Sequence, residues 1–294
     1  MCVWIEKFRY ECKCLNENIM KKIIVFCVAF LATMSLWASD TSVKKVSVDG
    51  FRAMNPIIEK PNLISVKKIS VDGIYYLIGE KKIIGKKGVA SVTSGDLKYV
   101  GEVVIPSTVT YGGEEYRVTS IGNGAFDDCS SLTSVTIPES VTEIGDGAFY
   151  GCSSLTSITI PEGVTSIGEN TFSFCGSLTS ITIPEGVTSI GPNAFSYCGS
   201  LTSVTIPSGV TTIGDWAFDS CDSLTSITIP NSVTKIGSDA FWGCSSLTSI
   251  TCKNTTPPIL IEYEGENYTF FYVDKSIPLY VPAESVEVYN NTKY

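Results

Sequence analysis

Apolar and polar residues recur along this chain with a period of 23 residues. Five units align without gaps, starting at Leu132, Leu155, Leu178, Leu201 and Leu224. A sixth starts at Leu247, and its pattern fails after Thr251. A half unit precedes the array, with matching residues at 118–122, Ala125, Phe126 and Cys129. A fixed period of this length is the mark of a solenoid, in which each repeat forms one coil.

The third unit shows how a coil is specified. Leu178, Ile181 and Ile183 are apolar, with Ser180 and Thr182 polar beside them. Period-two alternation predicts a strand with the isoleucines inward and the hydroxyls outward. Pro184 ends that strand, because it has no N–H for the ladder. Val187 and Ile190 form a second apolar pair, and Gly191 marks a turn that calls for positive φ. Ala194, Phe195 and Cys198, at i, i+1 and i+4, predict one helical or 3-10 turn over the core. Eight positions per unit therefore point inward and none is charged. One unit cannot close a core, whereas stacked units form a parallel β-sheet with strands about 4.8 Å apart. The predicted fold is a repeat solenoid, mainly β. A β-hairpin cap is expected over residues 39–102, coils over 103–252 and an irregular cap over 253–294. In the front region, residues 42–50 nearly recur as 65–73, again 23 apart, and read as short strands. The aromatic tail (Tyr263, Tyr268, Phe270, Phe271, Tyr272) is expected to cover the last coil, since open solenoid ends expose apolar surface.

Charge narrows the function. Residues 132–246 hold ten acidic residues and a single base, Lys235, whereas residues 39–98 hold eleven basic and six acidic residues. The array would repel phosphate backbones, which argues against nucleic acid as a partner. Histidine is absent, which excludes Ser-His-Asp and Cys-His nucleophile pairs and His-zinc sites. Met20-Lys21-Lys22, the apolar run 23–36 and Ala38 read as a signal peptide over residues 20–38, with no membrane span in the mature form. Residues 1–19 then lie upstream of the true start. The expected location is secreted or cell-surface.

The run I-P-x-x-V-T-x-I-G-x-x-A-F-x-x-C-x-x-L resembles the BspA-type leucine-rich repeat family of bacterial and protist surface proteins. The likeness covers residues 103–251. It extends to Val71-Asp72-Gly73-Ile74-Tyr75-Tyr76 in front, and to Thr256-Pro257-Pro258 and Ile277-Pro278-Leu279-Tyr280-Val281-Pro282 behind. Such tails run on with a further Tyr/Trp-containing segment, so this one reads as short at Tyr294. The resemblance implies a leucine-rich-repeat fold and an adhesive, protein-binding role toward host or matrix proteins.

The candidate chemistry is sparse. Cys129, Cys152, Cys175, Cys198, Cys221 and Cys244 recur every 23 residues without the paired spacing of zinc sites. Equivalent stacked positions hold Cβ atoms too far apart for most disulfides, so a ladder of buried thiols is expected. Ser134/Thr136 and their equivalents give a hydroxyl-rich outer face, which suits a half-exposed strand better than an ice-binding surface. Calcium-loop spacing is absent, and no cofactor is expected. Each unit carries one aromatic beyond its core Phe: Tyr150, Phe174, Tyr197, Trp216 and Trp242. These are the candidate partner-binding residues, since exposed aromatics anchor protein or sugar contacts. The loop acids Asp146, Glu169, Asp215, Asp219 and Asp239 read as a solvated face. The leading expectation is a non-enzymatic protein-binding module, with glycan binding as the alternative. The rival from another class is a glycoside-acting enzyme using loop carboxylates. A contiguous aromatic patch would favour binding, and two convergent carboxylates in a groove would favour hydrolysis.

Overall fold

The computed structural model describes residues 66–79, 88–262 and 268–291. The signal segment, the upstream residues, the 42–50 copy and Tyr263 lie outside the described residues. All described residues belong to one compact unit, Leu63–Tyr294. Among them no helix is long and apolar enough to cross a membrane.

Each coil contributes two short strands, and equivalent strands pair in parallel at an offset of 23 residues. In the first file Ser157, Ile158 and Thr159 face Ser180, Ile181 and Thr182, which in turn face Ser203, Val204 and Thr205. In the second, Ser166–Ile167, Ser189–Ile190, Thr212–Ile213 and Lys235–Ile236 stack in the same way. All eight inward positions of the third unit are buried, from Leu178 to Cys198. Ser180 and Thr182 are exposed, as strand alternation requires.

The expected turn over the core forms with i→i−3 bonds, and it also carries a third ladder between coils. The N–H groups of Asn193, Phe195 and Tyr197 donate to Asp215, Ala217 and Asp219 carbonyls of the next coil, each at 2.8 Å. Those of Ala194, Ser196 and Cys198 donate back within their own coil, to Gly191, Asn193 and Phe195. Alternating partners satisfy every donor of the arc, where a helix would have left no N–H for the neighbouring coil. Inside the arc the phenylalanines stack: Phe126, Phe149, Phe172, Phe195, Phe218 and Phe241 are fully buried. Consecutive ring centroids are 5.0–5.5 Å apart.

Gly191 does not take positive φ; the left-handed residue is Asn193, two places on (φ 53°). Glycine is required at the turn for another reason. A Cβ on Gly191 would lie 2.7 Å from the carbonyl carbon of Gly168 in the preceding coil.

At the front, β1 (Val66–Val71) and β2 (Ile74–Gly79) form an antiparallel hairpin. Its turn is Asp72-Gly73, both at positive φ, the geometry that favours tight hairpins. β3 (Gly88–Thr93) lies antiparallel to β2. β4 (Gly101–Val104) pairs with Leu132–Thr136 and starts the first file. β5 (Thr108–Tyr111) and β6 (Glu114–Ile121) form a second hairpin. β6 also pairs with β3 and with Glu143–Ile144, joining the hairpins to the second file.

At the back, the coil continues past Thr251, where the sequence pattern fails. Ile259–Leu260 pairs with Lys235–Ile236, and Phe270 stacks on Phe241 at 5.3 Å. The two phenylalanines are 29 residues apart rather than 23, so an insertion hides the match. Leu279–Tyr280 adds a last strand against Ser249–Cys252. A 3-10 turn (Ala283–Ser285) and the short helix α1 (Val286–Asn290) follow.

Candidate binding edge

The arc ladder places two left-handed residues in each of six coils and one in the last. The first file of these is Gly124, Gly147, Asn170, Asn193, Trp216 and Asp239; the second is Asp128, Gly151, Phe174, Tyr197, Ser220, Gly243 and Tyr272. Gly, Asn and Asp tolerate this conformation, whereas a bulky side chain there is strained. Four aromatics nevertheless occupy it: Phe174 (φ 60°), Tyr197 (φ 58°), Trp216 (φ 53°) and Tyr272 (φ 63°). The ladder holds them in place, with Phe174 N–H bonded to Ser196 O and Tyr197 N–H to Asp219 O, both at 2.8 Å. Strain of about 1–3 kcal/mol at a residue persists only where the surroundings over-determine it, and it concentrates at functional positions.

Three of the five sequence-predicted residues form one continuous row. Tyr150 meets Phe174 edge-on at 5.3 Å, and Phe174 stacks on Tyr197 at 4.6 Å with planes 5° apart. Phe174 is 43% exposed and Tyr197 48%. Trp216 and Trp242 are half-buried. Trp242 joins a different cluster, packing edge-on against Tyr272 at 5.1 Å. Tyr272 contacts Phe271, which contacts Tyr268.

The tail aromatics thus divide. Phe270 covers the last coil, as expected. Tyr268, Phe271 and Tyr272 do not: they are exposed and extend the aromatic edge. The sequence signal that finds them is Phe270 itself, which fixes Phe271 and Tyr272 as the equivalents of Trp242 and Gly243.

The loop acids are not all a solvated face. Asp219 and Asp239 are buried. Asp219 accepts hydrogen bonds from the hydroxyls of Ser196 (3.1 Å) and Ser220 (3.0 Å), and burial pushes its carboxyl above the usual range. Asp239 accepts from the Ser238 hydroxyl at 2.8 Å. Asp146 and Asp215 accept backbone N–H groups from the next coil, Glu169 and Ser238, each at 2.9 Å. Asp146, Asp215 and Asp219 are thus built into the coil stacking. A cavity of about 390 Å³ near the last coils is lined by Asn231, Thr234, Lys253, Asn254 and Thr256 and by no carboxylate.

The six periodic cysteines are buried free thiols. From Cys152 to Cys244 each Sγ donates to a Phe carbonyl of the preceding coil, at 3.1–3.3 Å. Burial raises the thiols, Cys198 and Cys244 to about 12. Among the described residues no group of three or more His, Cys, Asp or Glu could hold a metal ion.

Comparison with known proteins places this architecture. A family model described as the BspA type leucine rich repeat region matches in six copies, over residues 102–223 and 166–271. A leucine rich cell surface protein of Faecalibacterium prausnitzii is similar in structure, at 35% identity and a TM-score of 0.52, with 66% of this chain and 56% of that one covered. This chain therefore spans little more than half the length of that protein. A leucine rich repeat protein of T. pallidum matches at 33% identity and a TM-score of 0.53, covering 63% of this chain and 81% of that one. No curated protein matches.

Proposed function

This chain belongs to the BspA type leucine-rich repeat family, and from that premise we propose that it is an exported surface protein that binds other proteins along its aromatic edge. The observation that carries the reading is the row Tyr150–Phe174–Tyr197, half-buried at Tyr150 but exposed at Phe174 and Tyr197, where the backbone is strained. Aromatic rings fixed in place lose little freedom on binding, which suits them as anchors. Trp216 and Trp242 continue the edge toward the last coil. The signal peptide over residues 20–38 supplies the route out of the cell. Residues 39–102 serve as the front cap, 103–252 as the coils and 253–294 as the rear cap.

Protein is favoured over glycan by ring orientation. Phe174 and Tyr197 stack 4.6 Å apart, so each covers one face of the other. A sugar ring packs on an open aromatic face. The chain is read as non-catalytic, because Asp146, Asp215 and Asp219 are engaged in coil-to-coil hydrogen bonds and histidine is absent.

The test is a binding screen of the mature chain against purified matrix proteins and a glycan array, repeated with Phe174→Gly/Tyr197→Gly. Saturable binding to a protein, weakened at least tenfold in the double variant, is the expected result; truncating an anchor of this kind costs about 2 kcal/mol. Binding to glycans alone, or protein binding untouched by the substitutions, would overturn the reading.

A further inference from the structure

Between its two strands every regular coil turns through a loop that starts at proline. Each loop closes on itself: the N–H of Val141, Val164, Val187, Val210 or Val233 donates to the carbonyl of its own proline at 3.0–3.1 Å. Neighbouring loops pack tightly, and a Cβ on Gly186 or Gly209 would lie 3.4 Å from a carbonyl oxygen of the preceding coil. The last loop breaks this pattern. Cys252 pairs with Ile229 at the usual offset of 23, but Leu260 pairs with Ile236 at 24, so one extra residue enters between them. Lys253 takes the place of the proline, and Pro257-Pro258 leads the chain into the next strand. Proline fixes φ and stiffens that side of the loop. This loop and the preceding one line the cavity of about 390 Å³, a volume in the range of small-molecule sites.

The cavity is furnished for hydrogen bonding. Asn254 is buried, and its amide donates to the carbonyls of Val233 (2.7 Å) and Asn231 (3.2 Å), which ties the last loop to the one before it. Asn231, Lys253, Thr255 and Thr256 line the cavity and are exposed. Among the described residues, none of these four side chains has a hydrogen-bond or ion-pair partner.

Charge singles the place out. After the proline position the successive loops carry Glu139, Glu162, Glu185, Ser208, Asn231 and Asn254, so carboxylates give way to neutral residues toward the cavity. Lys235, next to the lining Thr234, is the first base after Arg117, and Lys253 follows on the cavity itself. An anion is attracted here and repelled along the rest of the array. Size decides its kind. One carboxylate side chain leaves most of such a cavity unfilled, whereas a sugar ring occupies it, and ring hydroxyls match the uncommitted amide and hydroxyl groups.

We propose that this cavity binds a hexuronic acid residue of an acidic polysaccharide, with its carboxylate on Lys253 and its hydroxyls on Asn231, Thr255 and Thr256. Pro257 gives the ring an apolar wall. The site is separate from the aromatic edge and stands without the protein-binding reading.

The experiment titrates the mature chain, by calorimetry, with trigalacturonate, with its methyl ester and with a Gly-Glu repeat peptide. The ester keeps the sugar rings and loses the charge; the peptide keeps the carboxylates and loses the rings. Trigalacturonate is expected to bind at least about tenfold tighter than either, with affinity falling as salt rises. Lys253→Met should weaken it at least about tenfold, and Lys253→Arg, which keeps the charge, should recover most of that loss. Asn231→Asp is nearly isosteric and sets a carboxylate on the wall, so it should weaken trigalacturonate to a similar extent. These side chains are exposed, so each variant should keep its melting temperature within about 3 °C. The proposal is overturned if trigalacturonate does not bind, if the ester or the peptide binds equally, or if either Lys253→Met or Asn231→Asp is silent. Phe174→Gly/Tyr197→Gly should leave trigalacturonate binding intact. A loss there would put the sugar on the aromatic edge and sink the cavity site, whereas failure of the edge to bind protein leaves the cavity site standing.

Discussion

At the residue scale, glycines that look alike in sequence do different jobs. Gly214 sits where a Cβ would lie 2.5 Å from the backbone N of Pro192, whereas Gly199 has nothing within 4 Å. Gly214→Ala must push two coils apart and should lower stability by about 1–3 kcal/mol, the range for overpacking. Gly199→Ala should stay within about 0.5 kcal/mol of the parent. Urea unfolding of both variants checks this, and equal effects would contradict the packing argument. Asp219 makes a second residue-level case. Its carboxyl is raised in the fold, first by burial. A raised carboxyl contributes stability below its unfolded range and loses it as pH rises through the folded value. At neutral pH the ionised form therefore costs stability. Asp219→Asn should melt higher than the parent near about pH 7, and the gap should close toward about pH 3. A gap that widens on acidification would mean the carboxylate is stabilising and the sign is wrong.

At the element scale, the thiol ladder shows how a file behaves as one object. From Cys152 to Cys244 each buried Sγ bonds a carbonyl in the preceding coil, and burial holds the thiols protonated. A thiol reagent at mild alkaline pH should leave these six cysteines untouched in the native protein. In denaturant without reductant all six should react; unreactive thiols that appear only after reduction would show that the ladder had oxidised. The two strand files, the eight inward positions and this ladder were legible in the sequence, because each is a fixed residue type at a fixed place in the period. The arc was not. Its left-handed positions hold Gly, Asn, Asp, Ser, Phe, Tyr and Trp in turn, so no residue type marks them. The aromatics Tyr150, Phe174, Tyr197, Trp216 and Trp242 were identifiable as variable, but their backbone strain was not. Tyr272 was missed as part of the edge because the insertion before Phe270 broke the period. Asp219 read as solvated because the Ser196 hydroxyl that bonds it lies 23 residues earlier, and the two meet only when coils stack.

At the scale of the whole molecule, the fold is a one-dimensional stack with each coil bonded to its two neighbours. In such a stack stability sums over coils and interfaces, and any complete unit can be removed if its neighbours match. Residues 176–177 and 199–200 are both Gly-Ser, so deleting 178–200 rejoins the chain with its local sequence intact. Phe172 would then stack on Phe218, Cys175 on Cys221 and Ser157–Thr159 would extend to Ser203–Thr205, since each file is continuous in type. The shortened protein should still unfold in one cooperative transition in guanidinium. Its m-value should be lower, because less surface is exposed on unfolding. A deletion of 178–195 removes nearly as much chain but breaks the period, setting strand residues against arc residues, and should abolish the transition. The in-period deletion also removes Tyr197, leaving Phe174 next to Ser220 in the left-handed file. Binding through the aromatic edge should weaken while the fold survives, which separates the part of the repeat that builds the stack from the part that meets a partner. Loss of cooperative folding in both deletions would mean that the coils are not interchangeable and that the two caps, rather than neighbour contacts, hold the array together.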